Sequence, residues 1–137
     1  MFVDFLDPPL PPRSHRVWTD LPPDEALLLW SLRRLVVAWP RCHAVHAALH
    51  RRFGDDALGV EALLRCWLHG LAGHATRPLR IGDPACAHLL PDEAAMLSAF
   101  RHAATDGGAA AIDELCGRPA AAVLGPIARA LAQASAS

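Results

Sequence analysis

Two pairs of cysteine and histidine are the residues in this sequence whose types and spacing could do chemistry. Cys42 and His46 are four residues apart, and Cys66 and His69 are three residues apart. Each pair spans about one turn of an α-helix, so both side chains of a pair can face the same point. Two thiolates and two imidazoles form a ligand set that tetrahedral zinc uses in proteins. The spacing therefore predicts one zinc ion bound by these four residues.

Two alternatives stand beside that site. His43 or His50 could replace His46 as a ligand, because both lie on the same segment. In the other interpretation no cofactor is bound, and Cys42 and Cys66 are small core residues, since free cysteine is among the most buried residue types. The histidines would then be half-exposed residues beside the buried surface.

Two helices folded into a hairpin are predicted to position these residues. The first helix follows Pro40 and ends at the turn 53–56, which reads Phe-Gly-Asp-Asp. The second begins behind Asp55-Asp56, acidic residues suited to a helix N-terminus. With so short a turn the helices are antiparallel neighbours, so Cys42 and Cys66 are expected at a similar level. Helical spacing predicts the apolar faces, which comprise Cys42, Val45, Leu49 and Phe53 on the first helix and Val60, Leu63, Leu64, Trp67, Leu68 and Leu71 on the second.

Further helices are predicted on both sides of the hairpin. One runs from about Pro22 to Trp39 and is apolar on most of its surface, with Arg33 and Arg34 on a small solvated face. The connector 76–84 contains at most one short strand with no obvious partner. Later helices start near residues 91, 106 and 119, the last with a kink or restart at Gly125-Pro126. The fold class predicted is all-α, a compact bundle of about five to six helices.

Residues 1–23 are predicted to form a proline-rich extended arm. Its prolines favour the polyproline II conformation and exclude a helix interior. The single helical domain is expected over residues 24–132, with a frayed tail at 133–137. The arm is too apolar for a simple disordered tail. It either wraps the helical body or docks on another protein or subunit, and its candidate partner-binding residues are Phe2, Phe5, Leu6, Leu10 and Trp18.

Composition argues against several classes of partner. The net charge is −1 and all thirteen basic residues are arginine, so nothing global points to nucleic acid or to an anionic membrane. No segment reaches the run of about 18 apolar residues that spans a bilayer. The N-terminus lacks the basic region of a secretory signal. A cytoplasmic location is therefore expected, where the four cysteines stay reduced.

Several short motifs together resemble a family of short helical proteins from alphaproteobacteria. The motifs are Asp-Glu-Ala-Leu-Leu-Leu at 24–29, Leu-Arg-Arg at 32–34, Arg-Phe-Gly at 52–54, Arg-x-Leu-Arg-Ile at 77–81, Asp-Glu-Ala-x-Met-Leu at 92–97 and Leu-x-Gly-Arg at 115–118. The resemblance covers roughly residues 24–132 and omits the arm. The family has no assigned function, and its members often carry a cysteine cluster where this chain has only Cys86. The resemblance implies a helical fold and transfers no activity.

The sequence favours a binding role over catalysis. It contains no Gly-rich phosphate loop, no Gly-x-Ser-x-Gly, no His-Glu-x-x-His and no lysine for a Schiff base. The apolar composition and the aromatic arm favour a non-catalytic bacterial protein-binding or regulatory module, such as an adaptor, an inhibitor or a small subunit. Its partner would be another protein or a second copy of the chain. The alternative is a zinc sensor or structural zinc protein built on the central hairpin.

Overall fold

The all-α fold expected from the sequence is confirmed. The structure is a computed structural model that describes residues 20–136 and, for the backbone only, residues 4–6. Six α-helices form this part of the chain, and their bounds are α1 Pro23–Val37, α2 His43–Phe53, α3 Ala57–His74, α4 Pro91–Arg101, α5 Asp106–Cys116 and α6 Ala121–Ala136. None of these helices is both long and apolar enough to cross a membrane.

Helices α2 and α3 form the hairpin that their apolar faces predict. One 3-10 turn, Gly54–Asp56, joins them, and Gly54 has a φ of 60°, a left-handed conformation that favours glycine. Val45 and Leu49 of α2 are fully buried. The buried residues along the facing surface of α3 are Val60, Leu64, Trp67, Leu68 and Leu71. The hairpin is thus held by a continuous apolar seam.

Helix α3 also contacts helices from the second half of the chain. The ring of Trp67 is fully buried and meets Phe100 of α4 edge-on, with 4.8 Å between ring centroids. A Cβ added at Gly70 would lie 2.5 Å from Cδ2 of Leu124. Glycine at this position therefore lets α6 approach α3 closely, which fixes the outer helices against the hairpin.

Arg33 was predicted to lie on a solvated face of α1, and this prediction was wrong. Arg33 is 1% exposed. Its guanidinium donates to both carboxylate oxygens of Glu93 at 2.7 Å. The same guanidinium donates to the backbone carbonyl oxygens of Cys86 and His88 at 2.6 Å. A buried charge needs such partners, because an unpaired one would retain the full cost of leaving water.

Glu93 completes this buried network from the other side. Its carboxylate accepts hydrogen bonds from the backbone N–H groups of Gly82 at 3.0 Å and Leu90 at 2.9 Å. Both oxygens of a fully buried acid are therefore satisfied, which is the condition for an ion pair to survive in a core. The network joins α1, the connector 82–90 and the start of α4.

The connector between α3 and α4 contains the short strand expected there. Strand β2, Arg80–Gly82, pairs in parallel with strand β1, Asp4–Leu6. Phe5 lies opposite Ile81 in this register. The sequence analysis identified no partner for the connector strand, and the partner proves to be a segment near the N-terminus.

Helices α1 and α6 each differ from expectation in one respect. Helix α1 ends at Val37, two residues before the predicted end at Trp39. The residue before a proline disfavours the helical conformation, so Pro40 explains the early end. Val37 is 59% exposed and Trp39 is 38% exposed, so part of the apolar surface predicted for this helix faces solvent. Helix α6 continues through Pro126 without a restart.

Candidate functional site

The structure does not assemble the predicted zinc ligands, which are Cys42, His46, Cys66 and His69. Within residues 20–136, no group of three or more His, Cys, Asp or Glu side chains is arranged to hold a metal ion. Cys42 is buried at the start of α2, whereas Cys66 and His69 are exposed on α3. His43 and His50, the proposed substitutes, are exposed on α2. The zinc prediction therefore gains no support.

The rotation of α3 explains why the ligands do not meet. Glu61 is the α3 residue that faces His46, with 3.1 Å between Oε2 and Nδ1. Cys66 comes five residues later, which turns it by about 140° around the helix axis. The short turn between α2 and α3 predicts only that Cys42 and Cys66 lie at a similar height along the hairpin. The face that Cys66 takes is decided by which stripe of α3 enters the core.

A different cluster forms where α2 begins. A cavity of about 430 Å³ lies there between α2 and the first half of α3. This volume falls within the range of small-molecule sites in proteins. We call it the Cys42 pocket, and its lining residues are Arg41, Cys42, His43, His46, Leu58, Glu61 and Arg65.

Cys42 holds the N-cap position of α2. Its backbone is extended, with φ −131° and ψ 121°, as is usual before a helix. The Sγ atom accepts a hydrogen bond from Nε of Arg34 at 3.4 Å. The backbone N–H groups of Ala44 and Val45 also lower the pKa of the thiol, although neither makes a capping hydrogen bond of normal geometry. The residue is 6% exposed and forms part of the pocket wall.

Opposing effects set the pKa of the Cys42 thiol. Burial by itself raises this pKa, because it disfavours the charged form. The hydrogen bond from Arg34 and the N–H groups of Val45 and Ala44 outweigh burial, so the pKa lies below the ordinary thiol value. Positive charge and a helix N-terminus are the surroundings that lower thiol pKa values in reactive cysteines.

Cys116 shows the opposite behaviour. This cysteine is fully buried at the end of α5. Burial raises the pKa of its thiol, and the nearby charge of Asp113 raises it further against a smaller opposing effect of Arg118. Cys116 therefore has the surroundings of a core thiol, whereas the surroundings of Cys42 favour the thiolate.

His46 and Glu61 form the other side of the pocket. The side chain of Glu61 is 6% exposed and also accepts a hydrogen bond from Arg65 at 2.9 Å. Because a carboxylate only accepts, Nδ1 of His46 carries the proton of their shared bond. Among the described residues no hydrogen bond joins His46 to the sulfur of Cys42. The pocket therefore contains a thiol and an oriented imidazole without the direct pairing of a Cys–His catalytic dyad.

The remaining cysteines are free and have other surroundings. Cys86 is buried, and its sulfur lies 3.6 Å from the carbonyl oxygen of His88. Since the carbonyl groups of both residues accept from Arg33, this Cys-x-His segment belongs to the buried network of the fold. Cys66 is exposed on α3, outside the Cys42 pocket.

The candidate partner-binding residues of the arm can be placed only in part. Phe2, Leu10 and Trp18 lie outside the described residues. Phe5 and Leu6 belong to strand β1, which places their backbone beside β2. These five residues stay a prediction.

Five residues of the site were not predicted. Arg34 was assigned to a solvated face, and Arg41, Leu58, Glu61 and Arg65 were not singled out. Glu61 and Arg65 stand at the i, i+4 spacing of a helical ion pair, which is a signal that the sequence contains. No local pattern connects Arg34 to Cys42, because the contact depends on how the chain returns after α1.

Comparisons with known proteins found no family model, no curated protein and no solved structure that matches this chain. The resemblance to short helical alphaproteobacterial proteins therefore stays a prediction. The function has to be inferred from the residues of this chain.

Proposed function

We propose that this protein is a non-catalytic regulatory module of the cytoplasm that binds another protein at the Cys42 pocket. The observation that carries the proposal is an exposed leucine in the wall of a positively charged pocket. Leu58 is 68% exposed and lines the pocket beside Arg65 and Arg41. Protein interfaces are enriched in arginine, and their fully buried centres are more apolar than the rest of the protein surface.

One exposed apolar side chain lines the pocket, and a second lies in the segment that leads into it. The described residues contain four large ones, which are Val37, Trp39, Leu58 and Val123. Leu58 lines the pocket, and Trp39 lies three residues before Cys42 in the segment that leads into it. Tryptophan and arginine are the residue types most enriched at the energetic centres of interfaces. The surface therefore offers an apolar contact as well as charge.

The charges around the pocket favour an acidic partner. Arg34, Arg41 and Arg65 supply three guanidinium groups, and Glu61 supplies the one carboxylate that lines the pocket. Glu61 is bonded to Arg65 and His46, so its charge is already engaged. A partner segment with acidic side chains and one apolar side chain against Leu58 would complement this surface.

Different residues of the site hold Cys42 and His46. In nucleophilic enzymes the base commonly lies within hydrogen-bond reach of the nucleophile. In the described part of the chain, His46 is bonded to Glu61 while Cys42 is bonded to Arg34. The two side chains thus have separate partners.

Two matched variants test the proposal. Leu58→Asp and Val123→Asp each place a carboxylate in the first turn of a helix, where it suits the helix dipole, and both residues are exposed. Only Leu58 lines the pocket. Circular dichroism first establishes that both variants are folded.

The measurement is capture of partners from native cell extract on immobilised wild-type and variant protein, kept reduced. We expect a protein retained by the wild type and by Val123→Asp but lost with Leu58→Asp. Sedimentation of the purified chains shows whether that partner is a second copy. Retention that is equal for all three proteins, or that is lost only with Val123→Asp, would show that the pocket is not the contact surface.

A further inference from the structure

The Cys42 pocket places a thiol at the wall of an accessible cavity. The sulfur is held by Arg34 at 3.4 Å, at the N-terminus of an eleven-residue helix. The cavity of about 430 Å³ opens beside it. Cys42 is 6% exposed and is one of the residues that line this cavity.

Two arginines near Cys42 have no carboxylate partner in the described part of the chain. Arg34 contacts the thiol and the ring of Trp30, with 5.7 Å from its guanidinium carbon to the ring centroid. Arg41 is exposed on the pocket wall. Within residues 20–136 neither arginine makes an ion pair with an acidic residue. The uncompensated charge is available to an anionic molecule, and arginine suits carboxylates through its two parallel N–H groups.

Glu61 does not cancel this charge. Its carboxylate accepts from both His46 and Arg65 and is buried by them. The acidic residue of the pocket is therefore already paired, whereas Arg41 is free to bind a ligand. The pocket therefore combines a sulfur that would attack a disulfide bond with an arginine that would bind a carboxylate of the same molecule.

We propose that Cys42 is a modification site that forms a mixed disulfide with small disulfides bearing carboxylate groups. The Cys42 thiolate attacks one sulfur of the reagent, a new S–S bond forms to that sulfur, and the S–S bond of the reagent breaks. The second sulfur leaves with the electron pair as a thiolate and takes a proton from solvent. Cys42 is oxidised, half of the reagent is reduced, and no further oxidant is needed.

This modification would regulate the partner surface. The attached group occupies the cavity, and its carboxylates take the place beside Arg41 that an acidic partner segment would use. This consequence rests on the proposed function, whereas the exchange reaction itself needs no partner protein. The two are separated experimentally, because the partner assay uses reduced protein and the exchange assay uses purified protein alone.

The test compares three disulfides on the reduced full-length chain. Glutathione disulfide is anionic, 2-hydroxyethyl disulfide is neutral and cystamine is cationic. Peptide mass spectrometry measures the initial modification rate at Cys42 and at Cys66, the exposed cysteine that serves as an internal reference. We expect the Cys42-to-Cys66 rate ratio to be about tenfold higher for glutathione disulfide than for cystamine at low salt.

A charge variant checks the cause of this preference. Arg41→Gln removes an exposed side chain, so the fold is retained. We expect the variant to lose most of the preference for the anionic reagent while its rate with the neutral reagent stays the same. The proposal is overturned if the rate ratio is equal for the anionic and cationic reagents in the wild type, or if only Cys66 is modified.

Discussion

Replacing Glu93 by glutamine is the sharpest perturbation of the fold. The carboxylate of Glu93 accepts four hydrogen bonds, two from Arg33 at 2.7 Å and one each from the N–H groups of Gly82 and Leu90. Glutamine keeps the shape of the side chain. It replaces one acceptor oxygen by an amide nitrogen that faces donors, and it removes the charge that balances Arg33.

The structure sets the size of the expected effect. Arg33 and Glu93 have side-chain exposures of 1% and 0%, so water cannot replace the lost charge. Removing one partner of a buried ion pair costs about 3 to 5 kcal/mol. Domains of this kind are stable by about 5 to 15 kcal/mol, so Glu93→Gln would lose a large share of the free energy of unfolding.

Urea unfolding followed by tryptophan fluorescence and far-ultraviolet circular dichroism measures this loss. Arg101→Gln is the control, because Arg101 pairs with Glu25 and its side chain is 40% exposed. The control is expected to lose less than about 1 kcal/mol, as exposed ion pairs do. Equal losses in the two variants would refute the view that the buried pair supports the connector and α4.

Two further predictions concern α4 and α5. Burial alone would raise the pKa of Asp92, but the hydrogen bonds from Arg77 and from the N–H of Arg80 outweigh burial and lower it. The Asp92 carboxylate therefore stabilises the fold at neutral pH. This stabilisation is lost as pH falls through the lowered pKa. Asp92→Asn is therefore expected to cost about 2 kcal/mol at pH 7 by urea unfolding. The difference from wild type should shrink as pH falls through the lowered pKa, and a pH-independent difference would contradict this. A Cβ at Gly108 would collide with the carbonyl oxygen of His102, whereas one at Gly107 meets its nearest atom, Oγ1 of Thr105, at 3.4 Å. Thermal unfolding should show Gly108→Ala destabilised by about 1 to 3 kcal/mol. Gly107→Ala should be unchanged or slightly stabilised. Equal melting temperatures for the two variants would contradict the collision at Gly108.

The helices could be predicted because their signals are local. The turn at residues 53–56, the acidic starts of α3 and α4 and the glycine after Cys116 are each read from a few neighbouring residues. The six helices accordingly lie close to their expected positions. The apolar stripe of α3 is buried as expected, except that Leu63 is only partly buried.

The candidate site could not be predicted in the same way, because it depends on contacts between distant segments. Arg33 looked solvated, since nothing near it in sequence shows that Glu93 will face it sixty residues later. Cys66 was predicted to bind zinc together with Cys42, because the two lie at a similar level along the hairpin. In the structure, the rotation of α3 brings Glu61 into contact with α2 instead. Spacing along one helix fixes which residues share a face, whereas packing decides which face meets which neighbour.

The pH dependence of Cys42 alkylation tests the account most directly. Peptide mass spectrometry would give the rate of iodoacetamide reaction at Cys42 from about pH 5 to 10, the range in which perturbed and ordinary thiols titrate, in the native and the urea-unfolded chain. The structure predicts a native midpoint below that of the unfolded chain, because Arg34 and the start of α2 favour the thiolate. Arg34→Gln should move the native midpoint upward. A native midpoint at or above the unfolded one, or no reaction of native Cys42, would contradict a reactive thiol in an accessible pocket.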